Sequence, residues 1–152
     1  PNCNLMWSYY ANSHKGICIE FRKKYIDAGK ISYKEDIPDV TIDVLMGAYF
    51  KVGNYNEVGE YIWNCLKVKL KEWKHEKEFR LNASHDMEKH VVADGENFRI
   101  YKYPNEAVSS IIFGCKTEQS VKDYITKNYN HEVEFMQAIE RRSKIEIIPY
   151  VR

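Results

Sequence analysis

Alternation of apolar and polar positions, together with β-branched residues, predicts about six strands. The expected strands cover residues 17–21, 30–34, 76–81, 98–103, 108–114 and 145–150. The stretch from Val108 to Gly114 is the most apolar, so we expect it near the centre of a sheet. Pro149 cannot donate to a strand ladder, which predicts an edge or a terminus for the last strand.

Helical spacing of apolar residues predicts three or four helices. The expected helices cover residues 42–51, 57–74, 118–128 and 132–142, with one or two helical turns over residues 4–11. Ile62, Leu66, Leu70 and Trp73 form the apolar stripe of the second, and Thr117 is the expected cap of the third. Residues 12–16 predict a turn in which Gly16 is free to take a positive φ.

These elements predict an α+β fold: a single mixed domain over residues 1–152, with the helices packed on the sheet. Because the chain opens with Pro1 rather than Met, we expect that an N-terminal segment of the full-length protein precedes it. Residues 83–97 are polar and contain Gly95, which predicts an exposed loop that could serve as a mobile lid.

Charge and cysteine content limit the partners and the cellular location that we expect for this protein. The net charge is +1, which gives no reason to expect a nucleic-acid or membrane surface, and no apolar run approaches the roughly 20 residues of a membrane span. The four cysteines are widely separated and lack Cys-x-x-Cys spacing. We therefore expect free thiols, a cytoplasmic protein and, because the five histidines are also scattered, no metal site.

The sequence lacks the common glycine-rich and nucleophile motifs. Neither a phosphate-binding glycine loop nor a Gly-x-Ser-x-Gly elbow is present. Five lysines between Lys67 and Lys77 surround Trp73, and a nucleic-acid contact there is conceivable. Interspersed acidic residues favour an ordinary solvated face.

The segment Lys71 to Leu81 offers the strongest candidate site. On a strand, Glu76, Glu78 and Arg80 would project from one face. Two carboxylates and a guanidinium in that arrangement form either an exposed salt-bridge ladder, which contributes about 0–1 kcal/mol per pair, or a polar site beside aromatic residues. The spacing leaves both interpretations open.

A second aromatic group lies near the start of the chain. Trp7, Tyr9, Tyr10 and His14 could close one end of a core, or could form a stacking platform for a planar ligand with a hydrogen bond from His14.

Two blocks carry a family resemblance. The LMWSYYANSHKGICIEF block over residues 5–21 and the Trp-x-x-Glu-x-Glu-Phe-Arg block over residues 73–80 resemble the bacterial domain-of-unknown-function family number 2971. The Ile-Ile-Phe-Gly-Cys-Lys block over residues 111–116 and the closing Ile-Ile-Pro-Tyr are similar to that family's tail. The family commonly has His where this chain has Tyr9, and the family name implies no activity.

The Glu-x-Glu pair is also similar to the acidic motif of ADP-ribosyltransferases. That resemblance implies an NAD-using enzyme that acts in bacterial defence, such as defence against phage, or as a toxin. It also implies that Glu78 is the catalytic carboxylate, that Glu76 is its partner and that NAD is the substrate. A preplaced carboxylate would stabilise positive charge developing on the ribose. The residues expected to bind this nucleotide ligand are Trp7, Tyr10, His14, Trp73 and Arg80.

Two alternatives remain beside the enzyme. In a non-catalytic ligand- or partner-binding module, the strand would hold a structural salt-bridge network and the aromatic group would belong to the core. In a nucleic-acid-acting protein, the face from Lys67 to Lys77 would bind phosphates, and binding would weaken with salt.

Overall fold

The computed structural model describes residues 2–26, 28–39, 41–50, 55–81, 91–93, 99–142 and 144–151. The chain divides into two compact units. One combines Pro1–Ile26 with Glu88–Arg152, and the other is Asp27–Met87. Helices and strands occur together in both, so the predicted α+β class is confirmed. The assignment of residues 1–152 to one domain stays a prediction.

The first unit is built on a four-stranded sheet. Its strands are β1 (Ile17–Phe21), β8 (Val108–Phe113), β9 (Glu134–Arg141) and β10 (Lys144–Pro149), in the spatial order β1-β8-β9-β10. β8 pairs antiparallel with β1 and parallel with β9, and β9 and β10 form an antiparallel pair. The central position predicted for 108–114 and the edge position predicted for the last strand are confirmed.

Two helices of this unit supply partners for the two faces of β8. Ile112 belongs to a buried cluster with Trp7 and Ala11, at the end of helix α1 (Asn4–Tyr10). Phe113 belongs to a second cluster, which Ile125 of the helix Gln119–Asn128 joins. Successive strand residues point to opposite faces, so an uninterrupted apolar strand can serve both clusters at once.

The turn after α1 departs from the sequence prediction. Asn12, Ser13 and His14 have φ values of 45°, 53° and 71°, whereas Gly16 lies outside the left-handed region. Gly16 instead allows a close approach of the chain, because a Cβ there would make a tight contact, 3.2 Å from the backbone of Ala11. The prediction of a turn is confirmed and the role given to Gly16 is wrong.

Two further predictions for this unit are wrong. The helix predicted over residues 132–142 is wrong: Glu134–Arg141 form strand β9, because their backbone bonds to β8 on one side and to β10 on the other. Thr117 does not cap the following helix, whose N-cap residue is Glu118. The Thr117 hydroxyl donates instead to the carbonyl oxygen of Gly16, at 2.8 Å.

The second unit contains two helices, four short strands and a 3-10 helix among its described residues. They are β2 (Ala28–Lys30), β3 (Ser32–Lys34), α2 (Ile42–Phe50), α3 (Tyr55–Leu66), β4 (Val68–Leu70), the 3-10 helix Lys71–Glu76 and β5 (Phe79–Leu81). β2 pairs antiparallel with β5, and β3 pairs parallel with β4.

The helix predicted over 57–74 ends at Leu66. The Val68-Lys-Leu70 segment satisfies both a helical and an alternating pattern, and pairing with β3 decides in favour of the strand. The backbone N–H of Ser32 donates to the carbonyl oxygen of Lys67 at 2.8 Å, directly beside this pair.

Most of the loop predicted over 83–97 lies outside the described residues. Its role as a lid therefore stays a prediction. The described part includes strand β6 (Val91–Ala93), which pairs antiparallel with β7 (Arg99–Tyr101) and belongs to the first unit. Where helices are described, none combines the length and apolar character needed to cross a bilayer.

Candidate functional site

The structure does not place the three charged residues singled out in the sequence, Glu76, Glu78 and Arg80, on one strand. Glu76 ends the 3-10 helix, Lys77 takes a left-handed conformation with φ 49°, and Arg80 is the middle residue of β5. The prediction that residues 76–81 form one strand is therefore wrong, because the left-handed residue interrupts any extended run before Glu78. The side chains nevertheless meet through a cation from another strand.

Lys69, in β4, joins the two glutamates. Its Nζ lies 2.5 Å from Oε2 of Glu76 and 3.1 Å from Oε2 of Glu78. Arg80 completes the group, with Nε 2.5 Å from Oε1 of Glu78 and a further hydrogen bond to the carbonyl oxygen of Leu66. We call Lys69, Glu76, Glu78 and Arg80 the glutamate cluster; it holds two positive and two negative side chains.

Burial differs sharply between the two glutamates. The side chain of Glu76 is 3% exposed, whereas that of Glu78 is 25% exposed. Burying a carboxylate is costly unless cations and hydrogen bonds compensate for the lost water. The cluster supplies Glu76 with Lys69, and leaves Glu78 as the carboxylate that a solute can approach.

The cluster shifts the ionisation of three of its members. Hydrogen bonding from Arg80, followed by that from Lys69, holds the pKa of Glu78 below its ordinary value of 4.5 despite partial burial. The hydrogen bond to Glu76 raises the pKa of Lys69, and the hydrogen bond to Glu78 raises that of Arg80. Both cations and the Glu78 carboxylate are therefore charged at neutral pH.

Aromatic residues border the cluster. The backbone N–H of Glu78 donates to Oη of Tyr33 at 2.7 Å. Nζ of Lys69 lies 5.0 Å from the centre of the Trp73 ring, within the range of a cation–π contact, and Trp73 is 41% exposed. The sequence had suggested Trp73 as a binding residue. It gave no signal for Tyr33, and it placed Lys69 only in a basic patch.

The other three predicted binding residues belong to the first unit. Trp7 is buried in its core, and Tyr10 is exposed and makes an edge-to-face contact with Tyr9. His14 is buried, with Nε2 3.1 Å from Oγ of Ser8 and Nδ1 3.8 Å from Sγ of Cys115. Their roles in ligand binding stay predictions.

Among the described residues, no three His, Cys, Asp or Glu side chains are placed to hold a metal ion. All four cysteines are free thiols.

Comparison with known proteins gives one match. The family model described as "Protein of unknown function (DUF2971)" matches residues 6–81, which is half of the chain and includes both the aromatic block and the glutamate cluster. No curated protein and no solved structure matches. These comparisons do not support the resemblance to ADP-ribosyltransferases. The chain belongs to the family of proteins of unknown function DUF2971.

Proposed function

We propose that the unit 27–87 is a binding module for a small nucleotide-type ligand, and that Glu78 is its anchoring group. The observation that carries this proposal is the state of Glu78: a charged carboxylate, fixed by Arg80 and Lys69, with a quarter of its side chain exposed. A carboxylate held in this way is a ready acceptor for a ligand hydroxyl, such as those of ribose, since it needs no reorganisation on binding.

The surroundings favour a ligand with phosphates and a planar base. The stretch from Lys67 to Arg80 contains six basic and three acidic residues. Two of those acids lie in the glutamate cluster, where Lys69 and Arg80 balance them. Lys74 and Lys77 are exposed nearby in sequence and could attract phosphate, while the exposed ring of Trp73 offers a stacking surface.

The same geometry favours binding over catalysis by the glutamates. Both carboxylate oxygens of Glu78 accept hydrogen bonds from cations, Oε1 from Arg80 and Oε2 from Lys69. A carboxylate stabilises a cationic ribosyl transition state less strongly when protein cations already compensate its charge. A paired Glu78 retains its capacity to accept a hydrogen bond but contributes little net negative potential.

An NAD-using ADP-ribosyltransferase-like enzyme is the second candidate. It is favoured by the lowered pKa of Glu78, since that chemistry also needs an ionised carboxylate. In this mechanism Glu78 would face the ribose, Glu76 would be its partner and Arg80 would order the pair.

Titration calorimetry with NAD, read together with nicotinamide release, separates the binding module from the transferase. We expect Glu78→Gln to weaken binding about tenfold or more, because a hydrogen bond to a charged group is lost. Glu146→Gln is the matched control, since Glu146 is a half-exposed glutamate paired with Arg141 in the other unit. Circular dichroism checks that both variants remain folded.

Four results decide between the two candidates and the nucleic-acid alternative. Binding that depends on Glu78 without release of nicotinamide supports the module, and release that Glu78→Gln abolishes supports the transferase. If neither NAD nor AMP binds the wild-type protein, both candidates are wrong. Binding of single-stranded nucleic acid that falls steeply with salt would instead support the nucleic-acid alternative.

A further inference from the structure

The first unit contains a nucleophile–base arrangement that the binding proposal does not use. The imidazole of His14 lies between a thiol and a hydroxyl, with Nδ1 3.8 Å from Sγ of Cys115 and Nε2 3.1 Å from Oγ of Ser8. His14 is buried, whereas Cys115 is partly exposed. Cys115 packs against the cluster that contains Trp7 but keeps part of its surface accessible, whereas His14 is held away from water.

Two hydrogen bonds hold the backbone of His14 in place. Its N–H donates to the carbonyl oxygen of Trp7 at 3.2 Å, and its carbonyl oxygen accepts from the N–H of Lys116 at 3.0 Å. The second bond links the turn to the residue that follows Cys115, so the ring and the thiol are positioned together.

Two unusual backbone features maintain this approach. His14 is the last of three consecutive non-glycine residues with positive φ, an uncommon conformation that Asn12 and His14 tolerate better than Ser13. Gly114, beside Cys115, admits no side chain, because a Cβ there would lie 2.1 Å from the carbonyl oxygen of His14. The left-handed turn that ends at His14 and the absence of a side chain at Gly114 together bring the imidazole close to the thiol.

The two contacts of the ring assign complementary roles to its nitrogens. If Nε2–H donates to Oγ of Ser8, Nδ1 carries the lone pair and points at the thiol. An imidazole base next to a thiol, with a third group orienting the ring, is the arrangement by which a cysteine becomes an effective nucleophile.

We propose that Cys115 is a nucleophile with His14 as its base and Ser8 as a positioning residue, and that its substrate is an acyl donor such as an ester or thioester. His14 Nδ1 takes the thiol proton as the sulfur forms a bond to the carbonyl carbon. The tetrahedral intermediate then expels the alcohol or thiol leaving group, which takes that proton. Water attacks the resulting thioester, giving its proton to His14, and the acid leaves as the thiol is restored.

This activity is independent of the ligand proposed for the unit 27–87. All three residues belong to the other unit, so a failure of NAD binding leaves the present proposal standing, and the converse is also true.

Alkylation of the native protein by iodoacetamide tests the nucleophile directly. Peptide mass spectrometry follows each cysteine separately, and Cys65, a partly buried free thiol of the other unit, is the internal control. We expect Cys115 to react at least about tenfold faster than Cys65 in the native protein, and equally fast in urea. Equal native rates would overturn the proposal.

Hydrolysis of p-nitrophenyl acetate tests the chemistry. We expect Cys115→Ser to abolish turnover and His14→Gln to lower it about a hundredfold. Ser8→Ala should lower turnover while Ser8→Thr, which keeps the hydroxyl, restores it, a pattern that a packing role for Ser8 would not produce. If His14→Gln does not fold, the two Ser8 variants decide alone: unchanged rates in both would refute the triad.

Discussion

The ion pair between Lys69 and Glu76 should contribute far more to stability than a surface pair of the same type. Three variants measure it: Lys69→Met, Glu76→Gln and the double variant. Lys69→Met removes the cation that lies 2.5 Å from Oε2 of Glu76, whose side chain is 3% exposed. The buried carboxylate then loses this counter-charge, while Arg80 still interacts with it electrostatically.

The structure sets the expected magnitude. Breaking a fully buried ion pair from one side costs about 3–5 kcal/mol, because the remaining charge is uncompensated. The Lys69 side chain is 22% exposed, so water can partly replace it, and we expect the free energy of unfolding to fall by about 2–3 kcal/mol. In the double variant neither charge remains, so the combined loss should be smaller than the sum by about 2 kcal/mol.

Urea unfolding followed by tryptophan fluorescence measures each free energy, and a second pair in the same unit provides the control. Lys71 bonds to Glu35, but their side chains are 55% and 73% exposed. The same double-variant cycle there should give a coupling of about 0–1 kcal/mol. A coupling at Lys69 and Glu76 no larger than the one at Lys71 and Glu35 would refute the reasoning that burial makes the first pair strong.

Two further predictions concern pH and space. The folded-state pKa of Glu78 is below its ordinary value of 4.5, so its ionised form stabilises the fold above that pH and the benefit disappears as pH falls through the folded-state value. The unfolding free energies of wild type and Glu78→Gln, measured by urea titration, should therefore differ at pH 7 and converge below pH 4.5; a constant difference would contradict this. Gly114→Ala should cost about 3 kcal/mol, because its Cβ would meet the backbone of His14. Thermal denaturation measures it, and an unchanged midpoint would be the contrary result.

Local patterns were sufficient for the strands of the first unit that stand out from their surroundings. Val108–Phe113 is apolar throughout and could be placed at the centre of the sheet from its sequence alone. Glu134–Arg141 was wrongly predicted to be helical, because Val133, Met136 and Ile139 also fit a helical stripe. Its strand conformation comes from backbone bonds to β8 and β10, which no local pattern encodes.

The candidate residues divide in the same way. Glu76, Glu78 and Arg80 were predicted to project together and their side chains do lie in one cluster, although the strand geometry behind the prediction was wrong. Their functional role stays a prediction. Lys69 enters the cluster because β4 pairs with β3, a contact that the helical stripe over the same residues concealed. Cys115 lies 101 positions from His14 in the chain, and only the bonds between the two turns reveal their proximity.

The glutamate cluster and the His14 arrangement should differ in how their substitutions affect stability and function. A salt-bridge cluster that only stabilises a fold can usually be replaced by apolar residues of similar size at little cost. Replacing Lys69 and Glu76 together should therefore preserve the fold but, if Lys69 also fixes Glu78 for a ligand, should weaken NAD binding. The His14 arrangement poses the opposite case. The left-handed conformation of Ser13 reduces stability, so relaxing it with glycine can stabilise the protein. A variant such as Ser13→Gly that raises stability and slows alkylation of Cys115 would mean that the strain serves the thiol rather than the fold.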